Sequence, residues 1–160
     1  MQFTQSISYP GTVDEVVAMY LTPAYLERRF GQFVVDGSST VSVEGERVSF
    51  AGTVRPELIP AAASRFVKSD LRIAFTEEWA TNEAGATSRT SVTVDGAPVS
   101  VEATSTLSPS DAGCTRDVSG NLSVRVPLLG GRIEKEAVAH LGRVVEREQA
   151  LATQWLEEHR

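Results

Sequence analysis

The last thirty or so residues carry the longest regular alternation of apolar and polar side chains in the chain. Ile133, Ala137, Leu141, Val144, Val145, Leu151, Ala152 and Trp155 fall on one face at ~100° per residue. Arg132, Glu136, Arg143, Arg147 and Gln154 lie mostly off it. The stretch has no proline and one interior glycine, Gly142, and good helix formers dominate it. The pattern predicts one long helix from Gly131 to His159, roughly 40 Å long at ~1.5 Å rise per residue. Its apolar face needs a broad partner. Glu148 interrupts that face, one turn after Val144 and one turn before Leu151 and Ala152. An unpaired carboxylate in a packed core is costly. The position therefore calls for a cationic partner, a raised pKa or water, and a wet cavity under the helix would supply the last. The simpler alternative is a slight twist that brings Glu148 to solvent or to a structural arginine.

The rest of the chain reads mostly as strands. From Gln2 to Tyr9, Phe3, Ile7 and Tyr9 alternate with Thr4, Ser6 and Ser8, the signature of a half-buried strand. Pro10-Gly11 ends it. Thr12 to Glu15 has the capping-box form and opens a short helix through Tyr20. Thr22-Pro23 opens a second, through Tyr25, Leu26 and Phe30, closed by Gly31. Strands follow at Val41–Val43 and Val48–Val54. A looser connection from Arg55 to Lys68 comes next, with Pro56 and Pro60 flanking Leu58 and Ile59, and room for one or two helical turns between Ala61 and Val67. Leu71, Ile73, Phe75, Glu77 and Trp79 share one face of the next strand. Thr87–Val94 and Val99–Leu107 are two more, joined around Asp95-Gly96. The serines and threonines from Thr87 to Thr93 read as an outer sheet face. After a turn from Pro109 to Gly113, the last strand runs from Cys114 to Val126, where Pro127 stops it. Helices segregated from six or seven antiparallel strands make an α+β fold.

Composition narrows the function. The length of 160 residues predicts one domain, 1–160. A net charge of −6 argues against a nucleic-acid partner. The single cysteine, Cys114, cannot form an internal disulfide, which suits a reducing cytoplasm. No segment has the length and apolarity of an integral membrane span, and the first residues lack the form of a signal peptide. His140 and His159 have no acidic or thiol neighbour at ligand spacing, so no metal or other cofactor is expected.

This layout resembles the START-like (SRPBCC) superfamily with its helix-grip fold. More narrowly, the chain resembles the domain-of-unknown-function family 2505. The stretches that carry the likeness are Tyr9-Pro10 with Thr12 to Val16, Pro23 to Leu26, Thr76 to Trp79, Val126 to Gly131 with Ile133-Glu134, and Thr153 with Trp155-Leu156. The resemblance spans essentially the whole chain. It implies a curved antiparallel sheet wrapped around the long C-terminal helix, two short helices after the first strand, and a cavity between sheet and long helix. The narrower family brings no known ligand and no catalytic residues.

In that architecture, candidate ligand-binding walls are Phe50, Val54, Ile73, Phe75, Trp79, Val101, Leu122, Leu141 and Val144, with Trp155 beside them. For each, the simpler reading is core filling. If strand parity holds, Glu77, Arg116 and Glu148 stand on inner faces, and Arg116 could pair with Glu148; a bulge would instead turn Glu77 outward, and Arg116, near a strand start, could be solvated. The leading expectation is a non-catalytic site for a small hydrophobic or amphipathic molecule, lipid- or polyketide-like. One alternative is a cyclase- or dehydratase-like enzyme with Glu148 or Glu77 as acid or base. Another is a protein-interaction module with a solid core.

Overall fold

Alternating burial along residues 2–9 makes the first strand, β1 (Gln2–Tyr9), with Ile7 and Tyr9 turned inward. The computed structural model describes residues 1–59, 61–65, 67 and 69–160. Next comes α1 (Val13–Tyr20), fixed by the capping box: the Glu15 N–H donates to Thr12 Oγ1, and the Thr12 N–H donates to Glu15 Oε1, both at 3.1 Å. In α2 (Pro23–Phe30), Pro23 takes the first turn, but Thr22 does not cap it. Its hydroxyl donates back to the Ala18 carbonyl at 2.7 Å, tying the start of α2 to the end of α1.

The strands β2 (Thr40–Glu44), β3 (Arg47–Thr53), β4 (Arg72–Asn82), β5 (Gly85–Asp95), β6 (Val99–Ser110) and β7 (Gly113–Val124) follow. With β1 they form one antiparallel, curved sheet of seven strands in the order β1-β7-β6-β5-β4-β3-β2. The two short helices thus carry the chain from one edge of the sheet to the other. Gly113 is required where β7 begins: its φ is +148°, and a Cβ there would lie 2.2 Å from the Tyr9 carbonyl oxygen. The connection expected from Arg55 to Lys68 contains a 3₁₀ turn, Pro56–Leu58, and a single helical turn, α3 (Ala61–Ser64). Pro60, Phe66 and Lys68 lie outside the described residues.

Register settles which residues face inward. Across the middle of the sheet, Phe50, Phe75, Val92, Val101 and Leu122 stand in one row. The next row contains Val48, Glu77, Thr90, Ala103 and Gly120. The Thr87–Thr93 stretch is therefore not wholly an outer face: Ser88 is buried and Thr90 half-buried, because a period of two sends every second residue inward. The last strand stops two residues earlier than its pattern suggests. The Val124 N–H donates to Glu134 Oε2 at 2.9 Å, and the chain turns away.

The predicted single C-terminal helix is two: α4 (Gly130–Ala139) and α5 (Leu141–Glu158). The break falls at His140, whose φ and ψ are −92° and −4° and whose N–H donates to Ala137 O in a tightened turn. Gly142, the weakest helix former in the stretch, stands two residues further on. The two ends of α5 are held differently. Ala152, Trp155 and Leu156 are buried against α1, α2 and β1 together with Tyr9, Val16 and Tyr20. Towards the other end, Leu141 and Val145 are half-buried, and Val144 is 44% exposed rather than packed as its spacing implies.

That contrast is measurable by urea denaturation. Leu156→Ala is expected to cost about 2–5 kcal/mol, the range for truncating a packed leucine. Val144→Ala, at the loosely held end, is expected to stay within about 0.5 kcal/mol, as surface substitutions do.

Candidate functional site

Two of the inward positions are charged. Glu77 and Arg116 stand on β4 and β7 with β5 and β6 between them, and both are buried. Arg116 Nη2 lies 2.7 Å from Glu77 Oε2. The same guanidinium donates to Ser105 Oγ from Nε at 3.0 Å and to Ser88 Oγ from Nη2 at 3.2 Å. Glu77 also accepts from Thr90 Oγ1 at 2.7 Å and from Trp79 Nε1 at 3.1 Å. Every partner is an inner-face residue, so the sheet register assembles this network.

A second pair lies above it. Arg29, from the last turn of α2, places Nη2 2.6 Å from Glu148 Oε1 on α5, and its Nη1 is 3.9 Å from Glu77 Oε1. The Tyr20 hydroxyl donates to the same Glu148 oxygen at 3.1 Å. Tyr9 Oη is 2.6 Å from Tyr20 Oη, so with the Tyr20 proton committed to Glu148, Tyr9 is the donor. Both guanidiniums lie against aromatic rings. Arg29 lies 4.8 Å from the Tyr20 ring centroid and 5.3 Å from that of Phe75; Arg116 lies 4.9 Å from Tyr20 and 4.8 Å from Trp79.

The quartet of two cations and two anions is electrically neutral. Burial raises the Glu77 carboxyl pKa, but Arg116 and then Arg29, with hydrogen bonds from Thr90 and Arg116, outweigh it and hold the group below its ordinary value. Burial likewise works against the Arg116 cation, and Glu77 more than restores it, leaving its pKa well above the usual arginine value. Burial pushes the Tyr9 hydroxyl up to about 12 and drives Tyr20 and Tyr25 upward too. Two buried polar atoms nearby, Tyr25 Oη and Arg29 Nη1, have no hydrogen-bond partner among the described residues.

Beyond the quartet the inner face is not tightly covered. Val92, Val101, Ala103, Val118 and Leu122 point inward yet remain half-buried. At the far end, an apolar cavity of about 250 Å³ opens between the sheet, α4 and the 55–71 connection. Val94, Val99 and Leu122 floor it, Ile133 and Ala137 roof it, and Leu58 and Val67 stand at the side. A wider depression of about 530 Å³ lies on the outer sheet face around Thr4, Thr104 and Ser119. It is open, polar and on the opposite side from the charged network, so size alone does not select it.

Of the expected wall residues, Val54 and Leu122 line the apolar cavity. Ile73, Val101 and Leu141 are half-buried, and Val144 is exposed. Phe50, Phe75 and Trp79 are buried in the core, as is Trp155. Glu77, Arg116 and Glu148 do converge, but the expected Arg116–Glu148 pair is not formed: Arg116 takes Glu77, and Glu148 takes Arg29. Arg29 and the tyrosine pair were not anticipated. Arg29 could have been found, since it stands four residues after Tyr25 and three after Leu26, both fully buried, and so shares their helix face. Among the described residues, no group of three His, Cys, Asp or Glu is placed to hold a metal ion. No helix is long and apolar enough to cross a membrane.

Residues 4–156 match the model of a family described as "Protein of unknown function (DUF2505)". An uncharacterized protein of Mycobacterium tuberculosis is 27% identical, over 96% of this chain and 95% of its own. Among solved structures, Ara h 8.0201 superposes with a TM-score of 0.61 at 11% identity, covering 99% of this chain and 98% of the other. Norcoclaurine synthase from Thalictrum flavum, in complex with dopamine and hydroxybenzaldehyde, gives 0.58 at 12% identity over 100% and 87%. The di-domain ARO/CYC StfQ from the steffimycin biosynthetic pathway gives 0.61 at 11% identity, over 99% of this chain and 51% of that one. These structures share the helix-grip architecture.

The inner pair gives a pH signature. Glu77 has a lowered folded pKa, so its contribution to stability is present above the unfolded carboxylate value of 4.5 and is lost as pH falls through the folded value. The raised tyrosines act oppositely: their contribution is complete below 10 and fades as pH rises towards about 12 for Tyr9. Glu77→Gln is expected to cost about 3–5 kcal/mol by leaving Arg116 uncompensated. It is also expected to flatten the acid side of the stability–pH curve. The double change Glu77→Leu with Arg116→Met should recover most of the loss, measured by urea denaturation at several pH values.

Proposed function

The chain belongs to the DUF2505 family, a branch of the START-like helix-grip proteins, and on that premise we propose that it binds a small hydrophobic or amphipathic molecule, lipid- or polyketide-like, without chemically converting it. The observation that carries this reading is the apolar cavity under α4, continuous in sequence register with inward-facing residues that nothing covers tightly. Burying the walls of such a cavity against an apolar guest contributes about 25 cal/mol per Å² of apolar surface removed from water. Val54 and Leu122 would touch the guest first, with Val101 and Ile73 along its path. The connection carrying Leu58 and Val67 would be the entrance. We assign the whole chain to a single domain and, from its lone buried thiol, to a reducing cytoplasm.

A cyclase-like enzyme is the second reading, favoured by one observation: Glu148, Arg29 and Tyr20 meet within hydrogen-bonding distance. Several features weigh against it. Glu77 is held as a carboxylate below the ordinary range and saturated by Arg116, Thr90 and Trp79, which suits a structural anion rather than a proton donor. The Glu148 oxygen that meets Arg29 and Tyr20 is likewise engaged by both. A solid-core interaction module is disfavoured by the cavity itself.

Native mass spectrometry of the protein purified from its own host tests the binding reading. A bound mass is expected, and Leu122→Trp, which fills the cavity floor, should abolish it while changing stability by less than about 3 kcal/mol, the upper cost of overpacking. No bound mass in the wild type, together with no uptake of added apolar compounds, would reject the proposal.

A further inference from the structure

Glu148 is the one member of the charged quartet with an oxygen to spare. Its contacts with Arg29 and with Tyr20 both fall on Oε1. Oε2 makes no hydrogen bond among the described residues, and it is not among the buried atoms left without a partner. The Glu148 side chain is 15% exposed and that of Arg29 12%, against none for Glu77. The outer pair therefore borders space, while the inner pair is sealed.

The direction of that space follows from what closes the other sides. Beyond Glu148 towards the chain end, Trp155 packs on Tyr25, Arg28 lies over the Trp155 ring, and Arg28 pairs with Glu158 at 3.1 Å. Below lie Phe75 and Glu77. Towards the start of α5 the packing loosens, where Val144 is exposed and Leu141 and Val145 are half-buried. On the floor, Thr90 beside Glu77 and Val94 in the apolar cavity are four residues apart on β5, about 13 Å at ~3.3 Å per residue. Between that floor position and the cavity under α4 stand Val92, Val101 and Leu122, inward-facing and half-buried.

The charge state around Glu148 decides what head group fits. Two guanidiniums are already matched by two carboxylates. An incoming carboxylate would find one buried donor to spare, Arg29 Nη1, but would bring a third negative charge to a balanced site, and an ammonium would add a third positive charge to it. A neutral hydroxyl donates to Oε2 and leaves the balance unchanged. A hydrogen bond to a fixed charged acceptor in a poorly solvated site is among the stronger kinds.

We propose that this protein selects apolar molecules that carry a neutral hydroxyl, with Glu148 Oε2 accepting the hydroxyl proton and the hydrocarbon lying along Val101 and Leu122 towards the cavity under α4. This rests on the ligand-binding reading above and names the class of ligand. The same site takes a phenol or an alcohol; it does not take a fatty acid.

Isothermal titration calorimetry with decanol, decanoate and decane at neutral pH tests it. Decanol is expected to bind at least about tenfold more tightly than either of the others, the factor corresponding to one hydrogen bond to a charged acceptor. Glu148→Gln should erase most of that preference while decane binding is unchanged, and the wild-type ranking decides the matter if that variant fails to fold. Decanoate or decane binding as tightly as decanol would overturn the hydroxyl assignment and leave the cavity reading standing. Equal decanol affinity in wild type and Glu148→Gln would do the same. Binding of none of the three would reject the cavity reading itself.

Discussion

The aromatic centre of this molecule can close only because the charges inside it cancel. Arg116 is a buried cation with its guanidinium against Tyr20 and Trp79, and it is tolerable there because Glu77 is 2.7 Å away and Ser88 and Ser105 take further donors. Glu77 in turn uses Thr90 and the Trp79 indole to satisfy its other lone pairs. Any one of these groups alone in that place would carry the full cost of desolvation. Assembled, they fix the relation between four strands, and they give α2 and α5 a platform on which Arg29 and Glu148 form the second pair.

The remaining architecture follows from where that platform ends. Near it, α5 is fastened by Ala152, Trp155 and Leu156, and the short helices are wedged in with Tyr20 and Tyr25. Away from it, the helix breaks at His140, and α4 packs mainly on β7. An apolar hollow is what remains between a curved sheet and a roof fastened firmly at one end.

Much of this was legible in the sequence because the two structural periods are simple. A period of two placed Glu77 and Arg116 inward and could have done the same for Ser88 and Thr90, had the serine–threonine stretch not looked so uniformly polar. A period of 3.6 placed Glu148 on the buried face. What failed was partner choice. Arg116 on the sheet and Glu148 on α5 stand on facing layers, and which partner each one meets depends on how far α5 stands from the sheet, which no local pattern encodes. Arg29 went unseen because Arg28-Arg29 reads as the ordinary basic end of a helix, although Arg28 does serve that surface role through Glu158. The break at His140 left only Gly142 as a trace, and a lone glycine does not by itself end a helix.

Glu77 and Arg116 are separated by 39 positions in the chain yet have no tolerable existence apart. A single codon change at either would strand the other's charge out of reach of water, so a lineage can cross from this pair to an uncharged one only by a double step or through a crippled intermediate. Arg29 and Glu148, 12% and 15% exposed, stand nearer the rim, where a single change strands a charge less completely. Across descendants of this fold the inner pair should therefore be inherited as a unit.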